Sequence, residues 1–197
     1  MSAPPAPPLL LASTSPQRRA ILEQLGIPFD VVAPRYEEDD PPGASPVELV
    51  REHALGKARS VAGDAGERPV LGVDTAVVLH ARVYGKPQNA KEATEMLEAM
   101  SGETHEVVSG LCLRTPGWEI VEHEVTQVTF RPLTARDLAV YVASGEWEGR
   151  AGGYAIQGLG VALVERIEGD YLNVVGLPAA RLVSLLESHA PKMLETA

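Results

Sequence analysis

The sequence has a single cysteine, a deficit of basic residues and no long apolar run. Cys112 is that cysteine, so an intrachain disulfide and a zinc site built from several thiolates are excluded. It falls in a predicted strand, where we expect it to be a core residue. Lys and Arg number 17 against 27 Asp and Glu, and a formal net charge of −10 disfavours sequence-independent binding to the phosphates of a nucleic-acid polymer. Apolar runs fall far short of the roughly 18 residues of a membrane span, and residues 1–8 have no Lys or Arg to begin a secretory signal. We therefore expect a cytoplasmic protein with neither a nucleic-acid polymer nor a membrane as partner.

The rest of the composition is that of an ordinary globular protein, with 45% hydrophobic and 22% charged residues. A length of 197 residues indicates one domain, or one domain with two lobes. Four prolines in residues 1–8 predict a loose arm there. Residues 9–190 are the expected domain, and residues 191–197 are the expected tail.

Capping residues and apolar periodicity predict short helices among short strands and two long ones, 105–114 and 118–130. Helices are expected where a cap or a proline precedes an apolar repeat, at 16–25, 46–61, 90–100, 135–144 and 177–188. Ser15 and Thr134 are the predicted caps of the first and fourth of these helices, and Ser45 begins a predicted capping box. Strands are expected where short apolar or β-branched runs stand between turn residues, at 8–12, 29–33, 69–73 continued by 76–79, 105–114, 118–130 and 161–167. Because these elements do not follow a strict strand–helix–strand repeat, we predict an α/β fold with a mixed sheet.

A hydroxyl-rich segment, Ser13-Thr14-Ser15, lies between the first predicted strand and the first predicted helix. The amides of a helix start carry partial positive charge. Arg18 adds a guanidinium in the first turn, where the helix dipole disfavours a cation unless an anion is also present. The pattern indicates a phosphate site, and the alternative is ordinary capping by Ser15 with solvated arginines.

Asp74 comes after a buried apolar strand, at the kind of position where α/β proteins bind ligands. A carboxylate there could bind a divalent cation or take a proton from water, and the alternative is a turn aspartate. The acidic run Glu37–Asp40 indicates a solvated loop from which one carboxylate could turn inward.

Two further segments could contact a ligand. Lys86 precedes a proline, which disfavours a helix, and it could point toward a phosphate in a cleft. The segment is not a Walker A loop, because His80 stands where that motif needs its first glycine. The alternative for Lys86 is an ordinary solvated lysine. Residues 149–160 contain five glycines, and Gln157 among them carries an amide that can read a base edge. The alternative for this segment is a flexible loop.

Six sequence pieces occur in order between about residues 9 and 187. They are Leu11–Arg18, Gly72–Thr75, Gly85–Pro87, Ser101–His105, Ala151–Gly158 and Val174–Pro178. Together they resemble the signature of the Maf family of nucleoside triphosphate pyrophosphatases. The resemblance implies an elongated mixed sheet with flanking helices and two lobes around a central cleft, related to inosine triphosphate pyrophosphatases. It also implies cleavage between the α- and β-phosphates with a divalent cation, Mg²⁺ or Mn²⁺.

The resemblance implies roles for individual residues of this sequence. Asp74 matches the catalytic aspartate and, with Glu38, is expected to hold the metal. The expected phosphate-binding residues are Ser13, Arg18, Lys57 and Lys86. The positions linked to base choice are Gln17, Thr75 and Gln157.

The sequence departs from the family pattern at two positions. Gln17 stands where an arginine is usual, and Arg19 is a neighbouring residue that could compensate. Arg150 stands where a lysine is usual, which keeps the charge but changes its geometry. Thr75 after the aspartate resembles the dTTP/UTP branch, because the 7-methyl-GTP branch usually has glutamine there.

The function that the resemblance implies is hydrolysis of nucleoside triphosphates, dTTP and UTP, to the monophosphate and pyrophosphate, as house-cleaning of non-standard nucleotides. Two alternatives stay open. One is a pyrophosphatase for modified purines such as 7-methyl-GTP, and the other is a nucleotide-binding regulator of cell division, since the family is named after septum formation. The expected partner is the nucleotide substrate, and a homodimer also stays open.

Overall fold

The computed structural model describes residues 7–41 and 43–195. The strands are β1 (Leu9–Ala12), β2 (Phe29–Val32), β3 (Val70–Leu79), β4 (Arg82–Tyr84), β5 (Thr104–Thr115), β6 (Trp118–Phe130) and β7 (Val164–Glu168). The helices are α1 (Pro16–Gln24), α2 (Pro46–Ser60), α3 (Ala62–Ala65), α4 (Ala90–Met100), α5 (Ala135–Ser144), α6 (Tyr171–Val175) and α7 (Ala179–His189). Most of the predicted N-terminal arm and the last two residues of the predicted tail lie outside the described residues.

All seven strands form one mixed sheet in the order β2-β1-β3-β5-β6-β7, with β4 paired to β3. The pairs β2–β1 and β1–β3 are parallel, whereas β3–β5, β5–β6 and β6–β7 are antiparallel. The predicted α/β fold with a mixed sheet and flanking helices is therefore confirmed.

One edge of β3 is open in its middle. The last residue of β1, Ala12, is opposite Gly72, and β4 joins β3 only from Val77 onward. Between these pairings, residues 73–76 have a strand partner only on the β5 side within the described part of the chain. The open edge lies beyond the carboxyl end of β1, where sheets of this class bind ligands.

Strand β3 is continuous, so its side chains alternate between the two faces of the sheet. The interruption predicted at Asp74-Thr75 is wrong, because pairing with β5 carries the backbone through it. Asp74 faces α2, where it contacts Lys57. Thr75 faces the opposite side, where it is paired in register with Ser109.

Two glycines let α2 approach the sheet closely. A Cβ on Gly72 would lie 2.1 Å from the backbone oxygen of Ala54, and a Cβ on Gly110 would lie 2.1 Å from that of Val50. Gly110 is the register partner of Asp74. The close approach of the helix backbone therefore occurs beside the candidate catalytic position.

The sheet face opposite α2 carries two apolar clusters. One contains Leu71 and Leu113 with α1 and α7, and the other contains Val77 and Val107 with α4 and α5. The polar Thr75–Ser109 pair lies between them along the strands. This polar interval divides the apolar face into two parts.

Residues 158–163 form a 3-10 helix, so the strand predicted at 161–167 is wrong in its first half. The carboxylate of Glu146 accepts from the amides of Leu159 and Gly160, and these bonds compete with strand pairing.

The predicted capping box at Ser45 is also wrong, since its side chain makes no capping bond. Thr134 and Asp137 form a complete capping box at α5.

Cys112 is completely buried in an apolar cluster with residues of β1 and α2, as expected of a core residue, and burial raises the pKa of its thiol to about 12. Across the described residues, none of the helices combines the length and apolarity that crossing a bilayer requires.

Candidate active site

A cleft with a volume of about 390 Å³ opens at the free edge of β3, which is a size typical of small-molecule sites. It is lined by parts of the chain that are distant in sequence: residues 12–18, α2 with the loop before it, strands β3 and β5, Lys86, and the segments 149–157 and 174–176. The cleft therefore brings together the motifs on both sides of the open strand edge.

Arg18 is fixed at the base of the cleft by three hydrogen bonds. Its Nε donates to the carbonyl oxygen of Gly176 at 3.0 Å, and its two terminal nitrogens donate to Ser13 Oγ at 3.1 Å and Thr75 Oγ1 at 3.2 Å. Burial lowers the pKa of the guanidinium, while the nearby carboxylates of Asp74 and Glu38 oppose that shift. The arginine remains charged because its pKa starts so high.

Lys57 joins two carboxylates from different elements. Its Nζ lies 2.5 Å from Asp74 Oδ1 on β3 and 2.6 Å from Glu38 Oε1 on the loop before α2. Glu38 and Lys57 line the cleft, and Asp74 lies against Lys57 with a side chain only 14% exposed. A positive group thus stands between two negative ones at the edge of the cleft.

The loop that carries Glu38 is held on α2 by His53. Tyr36 Oη lies 3.1 Å from His53 Nδ1, and Asp40 Oδ1 lies 2.8 Å from His53 Nε2. The Tyr36 ring also packs where a Cβ on Gly56 would lie, 2.2 Å from the nearest ring atom. Sequence reasoning missed His53. The available signals in the sequence were His53 itself and Gly56, a histidine and a glycine within the predicted helix 46–61.

Lys86 and Gln157 both line the cleft and are both exposed. Neither side chain has a hydrogen-bond or ion-pair partner within residues 7–41 and 43–195; each is available to a ligand. Gln17 also lines the cleft, and its Oε1 accepts from the hydroxyl of Ser15 at 3.1 Å. Arg19 is exposed and does not line the cleft, so the structure gives no support to its compensating for Gln17.

The segment around Gln157 is held by three side chains that sequence reasoning did not single out for this role, two through its backbone amides and one through the side chain of Tyr154. Tyr141 Oη accepts from the amide of Ala155 at 2.9 Å, and Glu146 accepts from the amide of Leu159 at 2.9 Å. His105 Nε2 lies 2.8 Å from the hydroxyl of the buried Tyr154. These contacts stand on both sides of Gln157.

Glu38 and Asp74 fit a divalent cation by donor type. The ammonium of Lys57 already stands as a cation in contact with both carboxylates. Among the residues that the structure describes, there is no group of three or more His, Cys, Asp or Glu side chains suited to a metal. Mg²⁺ commonly uses one or two carboxylates and takes its other ligands from phosphate and water. A two-carboxylate set therefore suits a metal that binds together with a nucleotide.

Among solved structures, a HAM1 protein from Coxiella burnetii is similar to 95% of this chain and 94% of its own, with a TM-score of 0.47 and 18% identity. The Ham1 protein of Staphylococcus aureus is similar to 63% of this chain and 72% of its own, with a TM-score of 0.45 and 14% identity. Similarities at this level carry no argument about function.

Similarity in sequence is much stronger. A protein of Nitratidesulfovibrio vulgaris named dTTP/UTP pyrophosphatase is 47% identical over 183 residues, which cover 92% of this chain and 87% of that protein. A Bacillus cytotoxicus protein of the same name is 46% identical over 178 residues, or 90% of this chain and 93% of that protein. The family model described as Maf-like protein matches residues 8–189. With that match over nearly its whole length, the chain belongs to the Maf family.

Proposed function

We propose that this protein hydrolyses nucleoside triphosphates, with dTTP and UTP preferred, to the monophosphate and pyrophosphate in the cytoplasm. The observation that carries the proposal is the cleft, which joins Arg18, Lys57 and Lys86 with the carboxylates of Glu38 and Asp74. Cations and carboxylates in that combination suit a triphosphate and a metal. The relatives named dTTP/UTP pyrophosphatase support the same reaction.

The bond we assign is the one between the α- and β-phosphates, attacked by water at the α-phosphorus. Charge develops on the phosphoryl oxygens in the transition state, so fixed donors and cations supply most of the catalysis. Arg18 and Ser13 are already oriented by their mutual hydrogen bond and would bind phosphate oxygens. Asp74 would orient the attacking water or take its proton.

Glu38 and Asp74 would hold the divalent cation. When bound, such an ion neutralises phosphate charge and lowers the pKa of a coordinated water. Lys57 is already in contact with both carboxylates, so it would keep them together in the free protein. Without these contacts, two carboxylates close to one another would repel.

Gln157 is the residue we assign to the base. Its amide can accept from N3–H and donate to O4 of uracil or thymine, whereas cytosine presents the opposite pattern. An amide that is free to rotate could suit either base, so discrimination requires that the backbone of Gln157 be held. The hydrogen bonds that the neighbouring amides of Ala155 and Leu159 donate to Tyr141 and Glu146 provide that support.

The test is pyrophosphate release by the purified full chain from dTTP, UTP, CTP, GTP and 7-methyl-GTP, with Mg²⁺ or Mn²⁺ and with a chelator. We expect fastest release from dTTP and UTP, a monophosphate as the second product, and loss of activity with the chelator. A preference for 7-methyl-GTP would overturn the assignment of pyrimidine bases, whereas the assignment of the pyrophosphatase reaction would still stand. Tight nucleotide binding without turnover in the presence of metal would overturn the enzyme assignment in favour of a regulator.

A further inference from the structure

The four basic side chains that line the cleft differ in how they are partnered. Arg18 donates three hydrogen bonds, and Lys57 contacts two carboxylates. Lys86 and Arg150 have neither a hydrogen-bonded nor an ion-paired side chain in the part of the chain that the structure describes. These two cations are therefore not neutralised within the protein.

Arg150 is the more unusual of the two because it is partly buried. Its Nε is fully shielded from solvent and has no hydrogen-bond partner among the described residues. A buried donor without an acceptor is destabilising, and more so when it belongs to a charged group. The destabilisation is relieved if a ligand in the cleft supplies the acceptor.

Arg150 and Lys86 belong to segments that contact one another. The amide of Gly152 donates to the carbonyl oxygen of Gly85 at 3.0 Å, which links the residues after Arg150 to the residue before Lys86. The two cations are thus presented from linked loops. By contrast, Arg18 lies near Asp74 and Glu38, whose charges act on its pKa.

Resting on the function proposed above, we infer that Arg150 is a substrate-binding residue that, with Lys86, binds the phosphates that leave as pyrophosphate. The reacting phosphate must lie by Asp74, where Arg18 and Lys57 are partnered with carboxylates or hydroxyls. The leaving phosphates carry the most negative charge and match the two cleft cations, Arg150 and Lys86, whose side chains have no hydrogen-bond or ion-pair partner among the described residues. A planar guanidinium can hold two phosphate oxygens at once, which an ammonium cannot do in the same way.

The experiment compares Arg150→Ala and Arg150→Lys with Arg19→Ala, an exposed arginine that lies outside the cleft lining. Inhibition constants for inorganic pyrophosphate and for UMP are measured against UTP hydrolysis, together with kcat and KM for UTP and dTTP. We expect Arg150→Ala to weaken inhibition by pyrophosphate by about 10-fold or more, the scale of one lost charged hydrogen bond. Inhibition by UMP should be unchanged, and UTP and dTTP should be affected alike. Arg150→Lys should give an intermediate loss, and Arg19→Ala should behave as the unmodified protein.

Unchanged pyrophosphate inhibition in folded Arg150→Ala would overturn the inference, as would a loss confined to UMP. If Arg150→Ala does not fold, Arg150→Lys and Arg150→Gln decide the outcome by the same measurements. If the unmodified protein releases no pyrophosphate, the proposed function fails by itself. Calorimetric binding of inorganic pyrophosphate to the unmodified protein and to Arg150→Ala then tests the site directly, and equal affinities would overturn it.

Discussion

The ammonium nitrogen of Lys57 lies 2.5 Å from a carboxylate oxygen of Asp74, which joins helix α2 to the middle of strand β3. The contact is possible because α2 rests on the glycines at positions 72 and 110, whose missing side chains leave room for the helix backbone. Helix packing therefore determines the geometry of the candidate catalytic residues.

Replacing Asp74 by Asn should reduce turnover at least about 100-fold, the lower end for a positioned acid–base group. The substitution keeps the shape and removes the charge that a metal or a proton needs. Pyrophosphate release at saturating UTP measures the effect, and Asp30→Asn, at an exposed ion pair with Arg68, is the control. Near-normal turnover in a folded Asp74→Asn protein would show that the assignment is wrong.

Replacing Gly72 by Ala should destabilise the protein by about 1–3 kcal/mol, because the new Cβ would lie 2.1 Å from the backbone oxygen of Ala54 and overpack the interface. Turnover should fall as well, since any shift of α2 moves Lys57 away from Asp74. Urea unfolding and a UTP assay measure the two effects. Gly63→Ala in α3 is the matched control, because a Cβ there meets nothing within 4 Å. Equal stability of the two variants would contradict the packing argument.

Replacing His53 by Ala should raise the Mg²⁺ concentration needed for half-maximal activity by about 10–100-fold, the usual effect of losing a residue that orients a metal ligand. His53 holds Tyr36 and Asp40, which flank Glu38. Hydrogen exchange of residues 34–41 should increase in the same variant, and that readout needs no metal. His80→Asn is the control because His80 is exposed and Asn tolerates its positive φ. If hydrogen exchange became faster while the Mg²⁺ requirement stayed unchanged, the order of the loop would not matter for metal binding, and the prediction would be refuted.

Replacing Glu146 by Ala should lower the ratio of UTP to CTP hydrolysis by roughly 10-fold, the scale of about one hydrogen bond. The carboxylate accepts from amides just after Gln157, so its loss lets that segment move. Glu148→Ala serves as the control, since the Glu148 side chain is exposed. Gln157→Ala should remove the same discrimination. If it does and Glu146→Ala does not, the support from Glu146 is dispensable.

His105 should make stability depend on pH in mildly acidic solution. Burial lowers its pKa from 6.5 to about 4, so between these values the unfolded chain binds a proton that the folded chain does not. This contribution is fully present above pH 6.5 and is lost as the pH falls toward 4, by about 3 kcal/mol at most. Urea unfolding from pH 7.5 to 4.5 measures it, and His105→Gln should show a shallower decline than the unmodified protein. Parallel curves for the two proteins would contradict the prediction.

The sequence by itself determined the local elements and the family resemblance. Ser15 and Thr134 were predicted as helix caps and are caps, because capping involves residues only two or three positions apart. Cys112, which falls in a predicted strand, was expected to be a core residue, and it is buried. The motifs on which the resemblance rests are likewise short and local.

Only the tertiary structure decided which distant residues meet. The 3-10 helix at 158–163 is held by the carboxylate of Glu146. The loop that carries Glu38 is anchored by His53, which lies in the helix that follows it. The continuity of β3 through Asp74 depends on register with β5. Strand register and the approach of a helix to a sheet are set by shape and hydrogen bonding between elements, and periodicity within one segment carries no information about them.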